Sequence, residues 1–404
     1  MKLLLLGGSG MQAESIVLDL LEIDSENFSE ITLAARNAAK LKARAERINN
    51  PKIKWETIDI QNDFEGLVDL IRKHDVVCNA ANTPTIYTVV QAALEARVML
   101  VGLEAVAQEV FAPGAPCDEF GFIEKPFYDE LNEKFIKANT GACVGWGYIP
   151  GITTFLGRMI ADKYDTIDTM IWSFASVSKG DKLLFSETPK EMIWLHHQEG
   201  IKLLDGKMVK FDPKKERHTT VFPEPIGKVT LQHMSFMSTI PVFNKKYPDK
   251  KIQNMDVRLG YWPGYIEMMD FMDSIGMLSD APKNINGVDI APVDVFLAGP
   301  GVSSAEGLTM QDYGAVKLDV SGIINGRKVS YSADVMGYPQ RNLGAMQIIT
   351  GIPMAVGLQM YATGKLPKVG YNTTIDDCVS PETFFELLSK RGFTVKITCS
   401  EDLY

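Results

Sequence analysis

Short apolar runs recur through the first 150 residues, each followed by a stretch whose apolar positions return every three to four residues. The runs are KLLLL at 2–6, ITLAA at 31–35, KWETI at 54–58, DVVCNAA at 75–81, VMLVGL at 98–103 and GACVGWG at 141–147. Amphipathic stretches follow from Met11 to Leu21, after ITLAA to about Ile48, and near 62–73, 85–96 and 124–138. Runs that are nearly continuous in apolar residues suit strands buried on both faces of a parallel sheet. Their alternation with helices predicts a doubly wound α/β domain.

Ligands of such sheets bind at the carboxyl ends of the strands. That edge collects Gly8, Ser9, Gly10, Met11 and Gln12 after the first strand, and Arg36 and Asn37 after the second. Asp59 and Ile60 follow the third strand, Ala80, Ala81, Asn82 and Thr83 the fourth, and Glu104 the fifth. Gly8-x-Gly10-x-x-Ala13 has the form G-x-G-x-x-A. In this reading Gly8 permits the tight turn, Gly10 lets a pyrophosphate approach the backbone, and Ala13 is small enough for helix–strand packing. The following helix N-terminus offers free N–H groups to phosphates. This is a Rossmann dinucleotide site. An NAD site usually ends its second strand with a carboxylate that bonds the ribose; Ala34-Ala35-Arg36 stands there instead. Arg36 can pair with a 2′-phosphate, so NADP is the expected cofactor, with NAD left open.

Beyond residue 150 the pattern changes. A helix near 152–164 precedes strand-like IDTMIWSFASV, and further strand character appears near 217–234 and 255–262. Asn325-Gly326 between two alternating runs predicts a hairpin. Residues 281–302 read as a long Gly/Pro-rich loop. A helix from Leu343 to Tyr361 is expected to break at Gly351–Pro353, and a short helix after Pro381 precedes FTVKI. The expected partition is a dinucleotide-binding domain at 1–150, a substrate-binding and dimerisation α+β domain with a mixed, largely antiparallel sheet at 151–340, and a segment at 341–404 that packs back on the first domain.

A net charge of -10, spread along the chain, excludes the basic surface that nonspecific nucleic-acid binding needs and disfavours an anionic membrane surface. No apolar run is long enough to span a bilayer, and MKLLLLGG is too short for a secretory signal. The five cysteines are odd in number and lack metal-ligand spacing, which points to reduced thiols, a cytoplasmic protein and no metal site.

MKLLLLGGSGMQAESIVLDLL, ITLAARNAAKLKA, GWGYIPGI, LLFSETPKEM, VFPEPIGKV, GYWPGY, AMQIITGIPMAVGLQMYATGKLPKVG and VSPETFFELLSKRGFTVKI together resemble the saccharopine dehydrogenase-like family. Its members include saccharopine reductase, lysine 6-dehydrogenase and carboxynorspermidine dehydrogenase. The resemblance implies a split Rossmann domain with an inserted substrate domain that also forms subunit contacts. It implies an oxidoreductase that moves hydride at the C–N bond of an amino acid, opine or polyamine derivative, working as a homodimer or larger homo-oligomer. Gln12 and Ala13 stand where many members have glycine, and Ile149 where saccharopine reductases carry Asp.

Amine oxidation needs a proton acceptor whose pKa lies near the working pH. Glu104, His197 and Tyr148 are the candidate catalytic groups, and Lys190, Arg258 and Tyr261 the candidate substrate-binding ones. Ordinary alternatives stand beside each: a solvated helix-start carboxylate, one packed and one exposed histidine at 196–197, core tyrosines and surface ion pairs. A non-catalytic NADP-binding redox sensor or scaffold is the alternative function, because fold does not fix function.

Overall fold

The computed structural model describes residues 1–81, 85–103, 108, 112–179, 183–185, 193, 196–197, 199–234, 239–261, 263–299, 302–304 and 311–401. Its first elements are β1 (Lys2–Leu6), α1 (Met11–Ile23), β2 (Glu30–Ala35), α2 (Ala38–Ile48), β3 (Ile53–Thr57), α3 (Phe64–Ile71), β4 (Val76–Asn79), α4 (Ile86–Ala96), β5 (Met99–Gly102), α5 (Lys125–Lys137), β6 (Gly141–Val144) and α6 (Thr153–Ala161). Next come β7 (Thr166–Lys179), β8 (Leu183–Phe185), β9 (Gly200–Leu204), β10 (Lys207–Phe211), β11 (Arg217–Val221), β12 (Lys228–His233), α7 (Thr239–Lys246), β13 (Asn254–Gly260) and α8 (Tyr265–Ser274). The remainder is β14 (Lys283–Ile285), β15 (Val288–Ile290), α9 (Pro292–Leu297), β16 (Val302–Ser304), β17 (Gln311–Ile324), β18 (Arg327–Gly337), α10 (Ala345–Ala362), β19 (Gly370–Thr373), α11 (Pro381–Ser389) and β20 (Thr394–Glu401).

Two compact units form. The first comprises Met1–Asp162, Pro241–Lys246 and Gln347–Gly392; the second Lys163–Ile240, Tyr247–Met346 and Phe393–Tyr404. Seven parallel strands make the first unit's sheet, in the order β19-β6-β5-β4-β1-β2-β3. The order β3-β2-β1-β4-β5-β6 is the doubly wound dinucleotide arrangement, and β19 extends it. β1 lies near the middle, and Leu3, Leu4, Leu5 and Leu6 are all fully buried. Each stabilises the fold by about 1.5–3 kcal/mol relative to exposure. Local capping starts the helices where the pattern predicts: Asn37 accepts from the Lys40 N–H, Asp63 from Gly66 and Ser380 from Thr383.

α10 closes the unit against α1. A β-carbon on Gly351 would meet the Ser15 hydroxyl at 1.8 Å, and one on Gly357 the Trp146 indole at 2.5 Å. These close approaches keep α10 continuous through Pro353, where the sequence predicts a break. Proline removes one helix hydrogen bond, and helix packing on either side outweighs that loss. Asp19 of α1 and Arg391, just after α11, form a pair with both side chains fully buried, at 2.7 Å. Arg391 also donates to the Leu387 carbonyl at 3.0 Å and to Gln359 at 3.1 Å.

A nine-stranded mixed sheet builds the second unit. Its main path is β10-β9-β13-β7-β17-β18-β20, and β12, paired with β11, adds to β13. Only β13 and β7 pair in parallel. The expected hairpin joins β17 and β18, with Asn325 and Gly326 both at positive φ, as a type I′ turn requires. Two expectations are corrected. Residues 281–302 are not one loop, because β14 and β15 pair about Asn286-Gly287 and α9 follows. The FTVKI strand becomes β20, paired antiparallel to β18 along eight residues, and so belongs to the second unit. Only 347–392 of the C-terminal segment belongs with the first.

Removing one member of a buried ion pair leaves the other charge uncompensated and costs about 3–5 kcal/mol. Arg391→Met is therefore expected to lower unfolding stability by that order in denaturant titration. Asp19→Leu with Arg391→Met should recover a large part of the loss; a double variant as unstable as the sum of the singles would contradict this account.

Candidate functional site

The carboxyl edge of the parallel sheet is built around the turn after β1. Gly7 has φ +77, and a β-carbon there would lie 2.4 Å from the Ala80 carbonyl oxygen. The tight-turn role expected of Gly8 thus falls to Gly7. Gly8 answers a different demand: its N–H donates to the Ala34 carbonyl at 3.0 Å, and an added β-carbon would meet Leu33 at 2.8 Å. Gly10 closes the turn by donating to the Gly7 carbonyl at 2.7 Å, and Ala13 is fully buried. The Gly7-Gly8 pair carried the missed signal, since either glycine can begin the turn.

Gly10 is the N-cap of α1 and has no side chain to take the first-turn N–H groups, which leaves them without a cap among the described residues. The Ser9 hydroxyl makes no hydrogen bond among the described residues. Met11 is half-buried, and Gln12 beside it has a buried Oε1 without a partner. Free N–H groups, a free hydroxyl and the positive end of a helix fit a dinucleotide diphosphate.

Arg36 is exposed directly after β2 and makes no hydrogen bond or ion pair among the described residues. Asn37 has its side-chain oxygen committed to capping α2. Asp59 accepts from the Gln61 N–H at 3.1 Å and from the Asn62 side chain at 2.9 Å. The Asn62 bond leads the causes that hold its carboxyl below the usual range, and the Arg36 charge adds to it. Ile60 is buried, and Ala80 and Ala81 are half-buried at the end of β4, where the Ala81 N–H donates to Asn79 at 3.1 Å. Asn82 and Thr83 lie outside the described residues, as do Glu104 and Lys190.

Tyr148 follows β6 at the same edge and is buried, in an irregular turn that contains Gly151 at φ +124. His197, Arg258 and Tyr261 belong to the second unit. His197 bonds Asp273 at 2.6 Å, and Asp273 also pairs with Lys214. Tyr261 is buried with its ring 4.4 Å from that of Tyr265. The Arg258 Nε donates to Asp256 at 2.6 Å, and Asp256 also accepts from His233 Nδ1. Burial pushes the Asp256 carboxyl up, but the His233 bond and the Arg258 charge outweigh it and the net direction is down. Among the described residues, no group of three or more His, Cys, Asp or Glu can hold a metal ion, and no helix is long and apolar enough to cross a membrane.

Of the adjacent histidines, His196 is the packed one and His197 the exposed one. Burial pushes the His196 imidazole down to about 4, against the upward pull of the Asp270 carboxylate 3.2 Å away. The unfolded chain, at 6.5, therefore binds the proton first as the pH falls. Stability from this group is complete above pH 6.5 and declines down to about pH 4. Denaturant titrations across that window should show wild type losing more stability than His196→Gln; parallel losses would remove His196 as the cause.

Three likenesses follow from comparison with known proteins. Residues 3–136 match the saccharopine dehydrogenase NADP binding domain. The chain is 23% identical over 385 residues to carboxyaminopropylagmatine dehydrogenase of Synechocystis sp., covering 91% of this chain and 90% of that protein. Apo saccharopine dehydrogenase (L-Glu forming) from Saccharomyces cerevisiae superposes with a TM-score of 0.78 at 16% identity over 99% of each chain. At that identity the structural likeness is one of fold.

Proposed function

We propose that the chain, whose residues 3–136 match the saccharopine dehydrogenase NADP binding domain, is a member of the saccharopine dehydrogenase-like family and moves hydride between NADP and the C–N bond of an amino acid, opine or polyamine derivative. The uncapped turn from Gly7 to Gly10 carries the reading, with a free Arg36 where an NAD site places a carboxylate. NADP supplies or accepts the hydride; the protein's part is orientation and proton handling. The name of the Synechocystis relative supports a substrate that joins a carboxylate to an amine. Glu104, which follows β5 in the sequence, and Tyr148, at the sheet edge after β6, are the proposed proton-transfer groups. His197 is the weaker candidate, since Asp273 already engages its ring. We extend the proposal to a homodimer, the commonest closed symmetry, with the exposed Phe271, Ile275, Ile285 and Val288 of the second unit as apolar surface for it.

Fluorescence titration of wild type with NADPH and NADH tests the cofactor. NADPH should bind more tightly, and Arg36→Ala should weaken NADPH by roughly 10- to 100-fold, the worth of a charge-assisted contact. NADH binding should stay unchanged in that variant. Binding of neither nucleotide by wild type would end the proposal. The substrate is then sought with NADP and a panel of basic amino acids, opines and carboxylated polyamines. Nucleotide binding with no turnover across the panel would favour a sensor.

A further inference from the structure

Arg44 is buried in the middle of α2, an uncommon place for a charged side chain. Its Nη1 donates to the carbonyl of Gly10, and its Nη2 lies 4.0 Å from the Glu14 carboxylate. Glu14 is itself held by Arg47. Arg44 and Arg47 therefore both approach Glu14 in the first turn of α1.

We propose that Arg44 is a positioning residue for the dinucleotide diphosphate, an inference that rests on the NADP-binding reading above. Gly10 has no side chain to fix it, and glycine backbone is permissive. As N-cap, Gly10 offers its carbonyl to the first intrahelical bond, and the bond from Arg44 holds the same oxygen from α2. The Gly10–Met11 peptide is trans, since the cis bonds in the chain are Ile149–Pro150 and Glu224–Pro225. In a trans peptide the C=O and N–H point in opposite directions. Holding the carbonyl therefore holds the Met11 N–H in the opposite direction, out of the start of the helix. A donor on the carbonyl also polarises the amide and strengthens that N–H as a donor in turn.

The residue also gives α2 two tasks. Arg36 and Asn37 precede its first turn, and Arg44 reaches from its buried face to the glycine turn. The group selective for the 2′-phosphate therefore stands just before the helix that carries the group ordering the diphosphate donors. They differ in what they distinguish. The 2′-phosphate is present only in NADP, whereas the diphosphate is common to NADP and NAD.

Titration of the intact chain with NADPH and NADH separates the two roles. Arg44→Met, which keeps the length of the stem, is expected to weaken both nucleotides by the same factor, roughly tenfold or more. Arg44→Lys keeps the charge but not the planar fork, and should lose about threefold for both. The NADPH-to-NADH ratio should equal that of wild type in each variant, unlike Arg36→Ala. A folded Arg44→Met with wild-type affinities and only a lowered melting temperature overturns the inference, because the role is then structural. A changed nucleotide ratio overturns it too, by moving Arg44 to the 2′-phosphate. Should Arg44→Met not fold, Arg44→Lys decides: wild-type affinity for both nucleotides counts against the inference, and an equal loss supports it. Wild type that binds neither nucleotide would instead sink the cofactor reading itself.

Discussion

At position 7 there is no space for a β-carbon: the Ala80 carbonyl oxygen would lie 2.4 Å away, and the backbone stands at φ +77. Both facts come from one demand. The chain leaves β1 at the centre of a parallel sheet and must turn within a few residues to start α1, while the ends of β2 and β4 crowd it from either side. The Gly8 N–H closes on β2 at Ala34, and the Ala80 N–H closes on the Leu6 carbonyl. Only a glycine meets the steric and conformational terms together. Once it does, α1 begins at the sheet edge with its N–H groups uncovered, which is the property the site requires. The diphosphate site is a consequence of how a buried parallel strand ends.

A second constraint acts from the far end of the chain. Asp19 and Arg391 are 372 residues apart and wholly buried. A buried ion pair seldom adds net stability over an apolar pair of similar shape. What it does is penalise alternatives: any packing of α10 and α11 that misplaces Arg391 strands a charge on α1. Gly351 contributes to the same fit sterically, by letting α10 approach the Ser15 hydroxyl. A β-carbon on Gly351 would also lie 3.2 Å from the Gln12 carbonyl, so the approach is close to the α1 backbone as well.

The parallel sheet was legible because burial on both faces leaves an unbroken apolar run, which no loop or surface helix imitates. The β17–β18 hairpin was legible from two residues, Asn325 and Gly326, whose preference for positive φ is local. What escaped were features decided by distant partners. Gly7 and Gly8 are indistinguishable until Ala80 and Ala34 are placed around them. Pro353 reads as a break until the tertiary contacts of α10 are known. FTVKI carries the alternation of a strand, but nothing in it says which sheet it joins. Arg44 left a faint trace: Leu41, Arg44 and Ile48 share one helix face, so the arginine sits on the stripe expected to be buried. A charge on that stripe signals a buried acceptor without naming it, and the acceptor is a backbone carbonyl 34 residues earlier.

Arg258 follows the same logic in the second unit. The Ile201 N–H donates to His233 Nε2 at 3.1 Å, so that nitrogen is an acceptor and the ring proton sits on Nδ1, toward Asp256. Asp256 in turn holds the Arg258 Nε at 2.6 Å. Each link fixes the next, and the guanidinium plane is set before any ligand arrives. The two Nη groups have no hydrogen-bond partner among the described residues. A planar fork with its inner nitrogen anchored and its outer edge free is suited to a carboxylate, because little rotamer entropy is left to lose on binding. An arginine needed only for local stability has no reason to leave that edge open in a half-buried setting, where unmet donors are costly. An anchored Nε beside an open edge, in a half-buried setting, distinguishes Arg258 from exposed Arg36.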